Sequence, residues 1–181
     1  MEHYSFSFTG YQNFDAVAEK LDAIYQKAFG FDNYDYRIAV TEAVCNAARY
    51  SLQGLTEAEI RLTLQISPVS ISTTVYARTT PFDVHSYRKK LQKLLEDPDT
   101  AAKDWGDHLG SIDASRGIWY MLTGCDSVYF DYRGQSVTLF AYLEPKKEDK
   151  ADKKDEEREP RATRIDLLLP RFYIKEHGVI L

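Results

Sequence analysis

Three polar side chains recur at helical spacing within the stretch TEAVCNAARYS, which covers residues 41–51. Glu42, Asn46 and Arg49 follow one another at intervals of four and three, so on a helix they fall within about 60° of each other. The valines and alanines of the same stretch lie in a different sector and can pack on a core. The pattern has two interpretations: an acid, an amide and a cation that converge on one ligand, or the solvated face that is typical of surface helices.

The sequence around this helix predicts the elements that must position it. Alternating and helical spacings give the order β-α-α-β-β-(α, loop)-α-β-β, with the helix of interest over about residues 33–51. The clearest hairpin surrounds Arg133, Gly134 and Gln135. Strands that pair mainly as hairpins, with helices between them, favour the α+β class: a two-layer α/β sandwich with a mixed, mostly antiparallel sheet and helices on one face.

Composition divides the chain into three parts: a domain over residues 1–143, a charged linker over 144–164 and an apolar tail over 165–181. Every position of residues 146–159 is charged except Ala151, so this run cannot bury enough apolar surface to order itself. The tail, IDLLLPRFYIKEHGVIL, is strongly apolar. We expect it to pack on its own domain, on a second protomer or on another protein.

Bulk properties exclude several classes of function. The net charge is −5 and 44% of the residues are apolar, so no basic surface invites nucleic acid. The two cysteines show no CxxC spacing, and the four histidines form no zinc signature. The beginning of the sequence does not resemble a signal peptide, and no apolar run approaches the length of a membrane span. We therefore expect a cytoplasmic protein that binds neither nucleic acid nor membrane.

The stretch RIAVTEAVCNAARYS, residues 37–51, resembles the first signature box of the GHKL superfamily of histidine kinase-like ATPases. The likeness is to the branch of anti-sigma-factor serine kinases, in which an apolar helix carries E-A-x-x-N-A and then a basic residue. PFDVH, residues 81–85, falls where the family has the end of its D-x-G-x-x-F-D segment. Residues 115–143 resemble the helix of the second glycine box and the final two strands. The resemblance covers about residues 1–143 and implies the fold of the histidine kinase-like ATPases.

This resemblance implies a role for each of the three polar residues. Glu42 would be the general base, Asn46 would hold Mg²⁺ against the phosphates of ATP, and Arg49 would lie near those phosphates. The implied function is an ATP-binding regulatory protein, serine-protein kinase-like if active, that phosphorylates a serine of an antagonist protein. A sigma factor or an anti-anti-sigma-like protein would be its partner. A homodimer is one arrangement that the sequence leaves open.

The second glycine box is only partly present. Gly117 would let the backbone approach a phosphate at the start of a helix, where exposed N–H groups favour anions. Ser115 occupies the position of the first glycine, and Arg116 lies between the two. By resemblance, all three residues would contact nucleotide, although SRGIWYM is also compatible with an ordinary helix that begins at Ser115 as its N-cap.

The adenine-binding box departs furthest from the family pattern. Ala77 stands where the family has the aspartate that reads adenine, and Thr79 stands where the adjacent glycine should be. Asp83 is the nearby aspartate that would take this role from a shifted loop. The departures support an alternative, a nucleotide-independent protein-binding module that sequesters a sigma factor or another regulator. A third interpretation is an unrelated α+β domain whose helix matches by accident.

Overall fold

The computed structural model describes residues 1–104, 116–143, 163–176 and 179–180. Within these residues, seven strands form one sheet in the order β1-β2-β3-β5-β4-β6-β7. All neighbouring strands are antiparallel except β4 and β6, which are parallel. The strands are β1 (Glu2–Thr9), β2 (Glu59–Ile66), β3 (Ser70–Ala77), β4 (Ser127–Asp131), β5 (Ser136–Tyr142), β6 (Phe172–Glu176) and β7 (Val179–Ile180).

Helices precede, separate and follow these strands. The described α-helices are α1 (Asp15–Phe29), α2 (Tyr34–Arg49), α3 (Val84–Leu94), α4 (Pro98–Ala101), α5 (Arg116–Gly124) and α6 (Ile165–Leu168). Short 3-10 helices cover Tyr11–Asn13 and Leu169–Arg171. The prediction of an α+β protein with a mostly antiparallel sheet and helices is confirmed. The more specific histidine kinase-like type stays a prediction.

The central strands bury one face because their apolar residues alternate with polar ones. In β2, Ile60, Leu62 and Leu64 are buried, while the residues between them face the other side of the sheet. Helix α2 packs across β2, β3 and β5 on the buried side. The sheet and its helices therefore share one hydrophobic core.

Helix α2 is fixed at its N-terminal end by a cap and a buried tyrosine. The side chain of Asn33 accepts a hydrogen bond from the backbone N–H of Tyr36 at 3.2 Å, which satisfies one of the open donors of the first turn. The hydroxyl of Tyr36 lies 3.0 Å from Thr73 Oγ1 in β3 and 3.1 Å from the carbonyl oxygen of Leu139 in β5. These contacts fix the orientation of α2 on the sheet.

Helix α5 packs against α2 through two glycines. A Cβ atom at Gly124 would clash with the carbonyl oxygen of Asp35 and lie 2.8 Å from Ala39 Cβ. A Cβ at Gly117 would lie 2.7 Å from Asn46 Nδ2. Gly117, at the start of α5, meets the C-terminal part of α2, and Gly124, at the end of α5, meets its N-terminal part, so the two helices run antiparallel. Because glycine has no side chain, the two backbones can approach closely.

The apolar tail packs on the sheet of its own chain. Strand β6 pairs with β4, and the ring of Phe172 stacks on Phe130 with centroids 4.9 Å apart. The buried side chains that the tail contributes are Ile165, Leu168, Leu169, Phe172 and Ile174. Residues 165–176 are therefore part of the core, whereas residues 144–162 of the predicted linker lie outside the described residues.

Among the helices in the described parts of the chain, none has both the length and the apolar character needed to cross a membrane.

Candidate functional site

Glu42 and Asn46 lie together on the side of α2 that faces the start of α5. Both side chains are partly buried. A Cβ atom at the buried Gly117 would lie 3.2 Å from Glu42 Oε2 and 2.7 Å from Asn46 Nδ2. The structure thus brings three of the predicted site residues into one place, and the missing side chain of Gly117 is the reason that the carboxylate and the amide fit beneath α5.

Burial sets the protonation behaviour of Glu42. Partial removal from water raises the pKa of its carboxyl above the ordinary value of 4.5, and the positive charge of Arg49 acts in the opposite direction. A carboxylate with a raised pKa accepts a proton more readily than an exposed one. Its environment is compatible with the general-base role that the resemblance implies.

Arg49 occupies the last turn of α2 and is exposed. Its Nη2 lies 3.8 Å from Sγ of Cys45, a free and partly buried cysteine one turn earlier. The guanidinium remains largely in solvent, so it is accessible to an anion that approaches this end of the helix.

The charges of Cys45 and Glu42 also act on Tyr11, a residue that the sequence did not mark as part of the site. Burial raises the pKa of the Tyr11 hydroxyl most, and the charges of Cys45 and Glu42 raise it further. The residue comes from the 3-10 helix after β1, which contacts α2. No motif marks this tyrosine, because its proximity to Glu42 arises only from the packing of distant segments.

Asp83 acts as the N-cap of α3 in the structure. Its Oδ1 accepts a hydrogen bond from the backbone N–H of Ser86 at 2.9 Å. Hydrogen bonds from the side chain of Ser86 and then from its backbone lower the pKa of the exposed Asp83 carboxyl. Among the described residues, no hydrogen bond or ion pair joins Asp83 to Glu42 or Asn46. The structure therefore gives Asp83 a capping role at the start of α3.

The remaining predicted residues flank Gly117. Arg116 is exposed at the first position of α5. Ser115 lies outside the described residues.

The segment that the resemblance aligns with the adenine-binding box lies at and just after the end of β3. Ala77 is completely buried and pairs with Ile60 in the sheet, so this position offers only a methyl group within the core. Thr79 is also buried, with 5% of its surface exposed, and it forms an isolated bridge with Ser51 just after α2. Among the described residues, Thr79 Oγ1 has no hydrogen-bond partner.

A cavity of about 160 Å³ lies elsewhere, between α1 and α2. Its polar lining includes Arg37, which makes ion pairs with Asp22 at 2.8 Å and Asp32 at 2.9 Å. Neither Glu42 nor Asn46 lines it. Cavities that hold drug-sized ligands usually measure roughly 300–1,000 Å³, so this one is too small for a nucleotide.

The site can be compared with the needs of a Mg²⁺–nucleotide complex. Mg²⁺ prefers oxygen ligands and commonly takes only one or two from the protein, with phosphates and waters supplying the rest. Asn46 offers an amide oxygen, whereas the described residues contain no group of three or more His, Cys, Asp or Glu side chains that could hold a metal ion. Asn46 therefore offers one oxygen to such a complex, whereas Ala77 occupies the position at which the resemblance expects an aspartate.

No protein-family model matches this chain, and the search of curated proteins found no match.

Proposed function

We propose that this chain is an ATP-binding regulatory protein with the fold of the histidine kinase-like ATPases, similar to the anti-sigma-factor serine kinases. The convergence of Glu42, Asn46 and Gly117 at one end of α5 is the observation that carries the proposal. The first backbone N–H groups of a helix have no partner within it and attract anions. A phosphate near the start of α5 would therefore meet N–H groups, the amide of Asn46 and the cation of Arg49 together.

Each side chain has a distinct task in this proposal. Bound Mg²⁺ would neutralise phosphate charge, and Asn46 would hold the ion through its Oδ1 atom. Arg49 and Arg116 would contribute positive charge near the phosphates. Glu42, shielded from water, would accept the proton of an attacking serine hydroxyl. Phosphoryl transfer depends mainly on placement and charge neutralisation, which is what this arrangement offers.

The regulatory output would pass to a protein partner. By resemblance, a sigma factor or an anti-anti-sigma-like protein is the partner class, and the serine to be phosphorylated would belong to an antagonist of this chain. The proposal also includes a cytoplasmic location, and it is compatible with a homodimer.

The position at which the family reads the adenine base favours a second function. Ala77 is fully buried and cannot supply the hydrogen bond that reads adenine. A site built around such a bond typically loses about 1–3 kcal/mol without it. This supports the nucleotide-independent module, which would act only by sequestering a sigma factor or another regulator.

Calorimetric titration with Mg²⁺–ATP distinguishes the two functions. We expect saturable binding by the wild type and at least about tenfold weaker binding by Asn46→Ala, because the ion and its phosphates lose a protein ligand. Gln65→Ala is the matched control, since it removes an exposed amide from the opposite face of the sheet. If the wild type shows no binding, the nucleotide-independent module is the correct function.

Kinase activity requires a separate measurement. With a serine-containing partner and labelled ATP, Glu42→Gln should retain ATP binding and lose phosphate transfer by roughly 10²–10⁴-fold, the usual contribution of a general base. Equal transfer by the variant and the wild type would show that Glu42 is not the base.

A further inference from the structure

The cavity between α1 and α2 is formed by the facing sides of the two helices. Its lining residues on α1 are spaced like one side of a helix and are Ala18, Leu21, Asp22 and Tyr25. On α2, the lining residues that include Arg37 and Thr41 have the same spacing. Because Ala18 extends only a methyl group into the space between the helices, their packing leaves this space open.

The interior of the cavity is apolar, and its size matches one aromatic ring. Phe14, Leu21 and Tyr25 line it, and each of these residues is at most 4% exposed. The volume is about 160 Å³. An apolar cavity of about 150 Å³ within a protein core admits benzene. The volume therefore favours a six-membered ring that carries one or two further atoms.

The cavity reaches the surface beside an ion-pair cluster with more negative than positive charge. Asp22 and Arg37 both line the cavity, with 41% and 35% of their side chains exposed. Arg37 shares its single positive charge between Asp22, at 2.8 Å, and Asp32, at 2.9 Å. Two carboxylates against one guanidinium leave an excess of one negative charge. A carboxylate accepts several hydrogen bonds, so Asp22 can also receive one from a cationic ligand.

We propose that the α1–α2 cavity binds a small aromatic amine, with its ring between the two helices and its ammonium group at Asp22. The ring is stabilised because it leaves water for an apolar space. The ammonium group donates a charge-assisted hydrogen bond to the carboxylate. Neither Glu42 nor Asn46 lines this cavity, so the inference is independent of the proposed nucleotide site.

Three ligands of similar size and different charge test the proposed ligand class: benzylamine, benzyl alcohol and benzoate. Each is titrated into the labelled protein, and the shifts of amide NMR signals measure the affinity and locate the site. We expect saturable shifts centred on Ala18, Leu21 and Tyr34, and affinity about three- to tenfold higher for benzylamine than for benzyl alcohol, because the added charge pair is partly exposed to water. Benzoate should bind most weakly, because its charge is repelled by Asp22 and Asp32.

Two variants separate the roles of the cavity and of its carboxylate. Ala18→Leu fills the cavity, so the folded variant should bind none of the three ligands. Asp22→Asn keeps the shape of the side chain and removes its charge, so it should bind benzylamine and benzyl alcohol equally. Glu19→Gln is the matched control, because it removes one negative charge at an exposed position of α1 and should keep the preference for benzylamine.

Several results would overturn the inference. Shifts of the wild-type protein that do not saturate, or that centre away from the cavity, would show that no aromatic ring binds there. Equal affinity of the wild type for benzylamine and benzyl alcohol would show that Asp22 does not select an amine, as would an unchanged preference in Asp22→Asn. Ligand binding by a folded Ala18→Leu variant would also contradict the proposed position of the ring.

Discussion

The surroundings of Glu42 show how far the arrangement of the site residues could be predicted from the sequence. The spacing of Glu42, Asn46 and Arg49 placed them on one side of a helix, and the structure has all three on α2. Spacing could not show that Gly117 covers the first two, because that contact depends on how α5 packs from far along the chain. For the same reason no sequence signal pointed to Tyr11, on whose hydroxyl the charge of Glu42 acts.

The protonation of Glu42 gives a prediction at the residue scale. Burial raises the pKa of this carboxyl in the folded state, so the folded protein binds the proton more tightly than the unfolded chain. The associated stability is fully present below the ordinary pKa of 4.5 and is lost as the pH rises through the folded pKa. Because glutamine cannot ionise, the Glu42→Gln variant does not lose this stability as the pH rises. Glu42→Gln should therefore melt at a higher temperature than the wild type at neutral pH, and the difference should shrink as the pH falls towards 4.5.

Thermal unfolding at a series of pH values checks this prediction. Glu19→Gln is the matched control, because it changes the net charge equally at an exposed position of α1. A Glu42→Gln protein that is no more stable than the wild type at neutral pH would show that burial does not penalise the charge of Glu42.

At the scale of elements, local sequence patterns predicted the site helix and the hairpins correctly. Pairing between strands that are distant in the sequence was not predicted. The site helix was predicted over about residues 33–51 and is observed over Tyr34–Arg49, with Asn33 as its cap. Alternation also predicted both hairpins, since each depends on neighbouring segments. The parallel pairing of β6 with β4 was not predicted, because a parallel partner is joined through a long connection and leaves no local signal.

The close packing of α5 on α2 predicts different outcomes for its two glycines. In Gly124→Ala, the new Cβ would meet the backbone of Asp35, which cannot move without shifting α2, so we expect destabilisation of about 3 kcal/mol or more. In Gly117→Ala, the new Cβ would meet mainly the side chain of Asn46, which can turn away, so we expect a smaller loss of about 1–2 kcal/mol.

Denaturant unfolding shows which of the two variants loses more stability. Nucleotide titration then shows which of them alters binding at the site. Gly117→Ala should weaken Mg²⁺–ATP binding because it displaces Asn46, whereas Gly124→Ala, at the other end of α5, should affect stability alone. The reverse order of stability would mean that α2 and α5 do not pack through Gly124 as the structure has them.

At the scale of the whole molecule, the tail is part of the fold. The sequence left three options open for the apolar tail, and the structure packs residues 165–176 against β4 and the core of the same chain. Composition alone could not choose between these options, because burial in its own domain, in a second protomer or in another protein satisfies the same apolar residues.

Phe172 tests the contribution of the tail to stability. Its side chain is completely buried and stacks on Phe130, so Phe172→Ala should cost about 3–5 kcal/mol. Leu167→Ala, in the same segment but half exposed, should cost less than about 1 kcal/mol and serves as the control. Similar small losses for both variants in denaturant unfolding would show that the tail does not pack on the sheet in solution.

We propose that a metal–nucleotide complex binds between α2 and the start of α5, and paramagnetic broadening locates such a complex directly. Mn²⁺ replaces Mg²⁺ in the nucleotide complex and broadens the NMR signals of nearby amides. Titration of the labelled wild-type protein with Mn²⁺–ATP should broaden the amides of Asn46 and Gly117 first and leave those of Ala18 and Tyr34, beside the α1–α2 cavity, largely unchanged. Broadening centred on that cavity, or none that saturates with nucleotide, would contradict a nucleotide site at Glu42, Asn46 and Gly117.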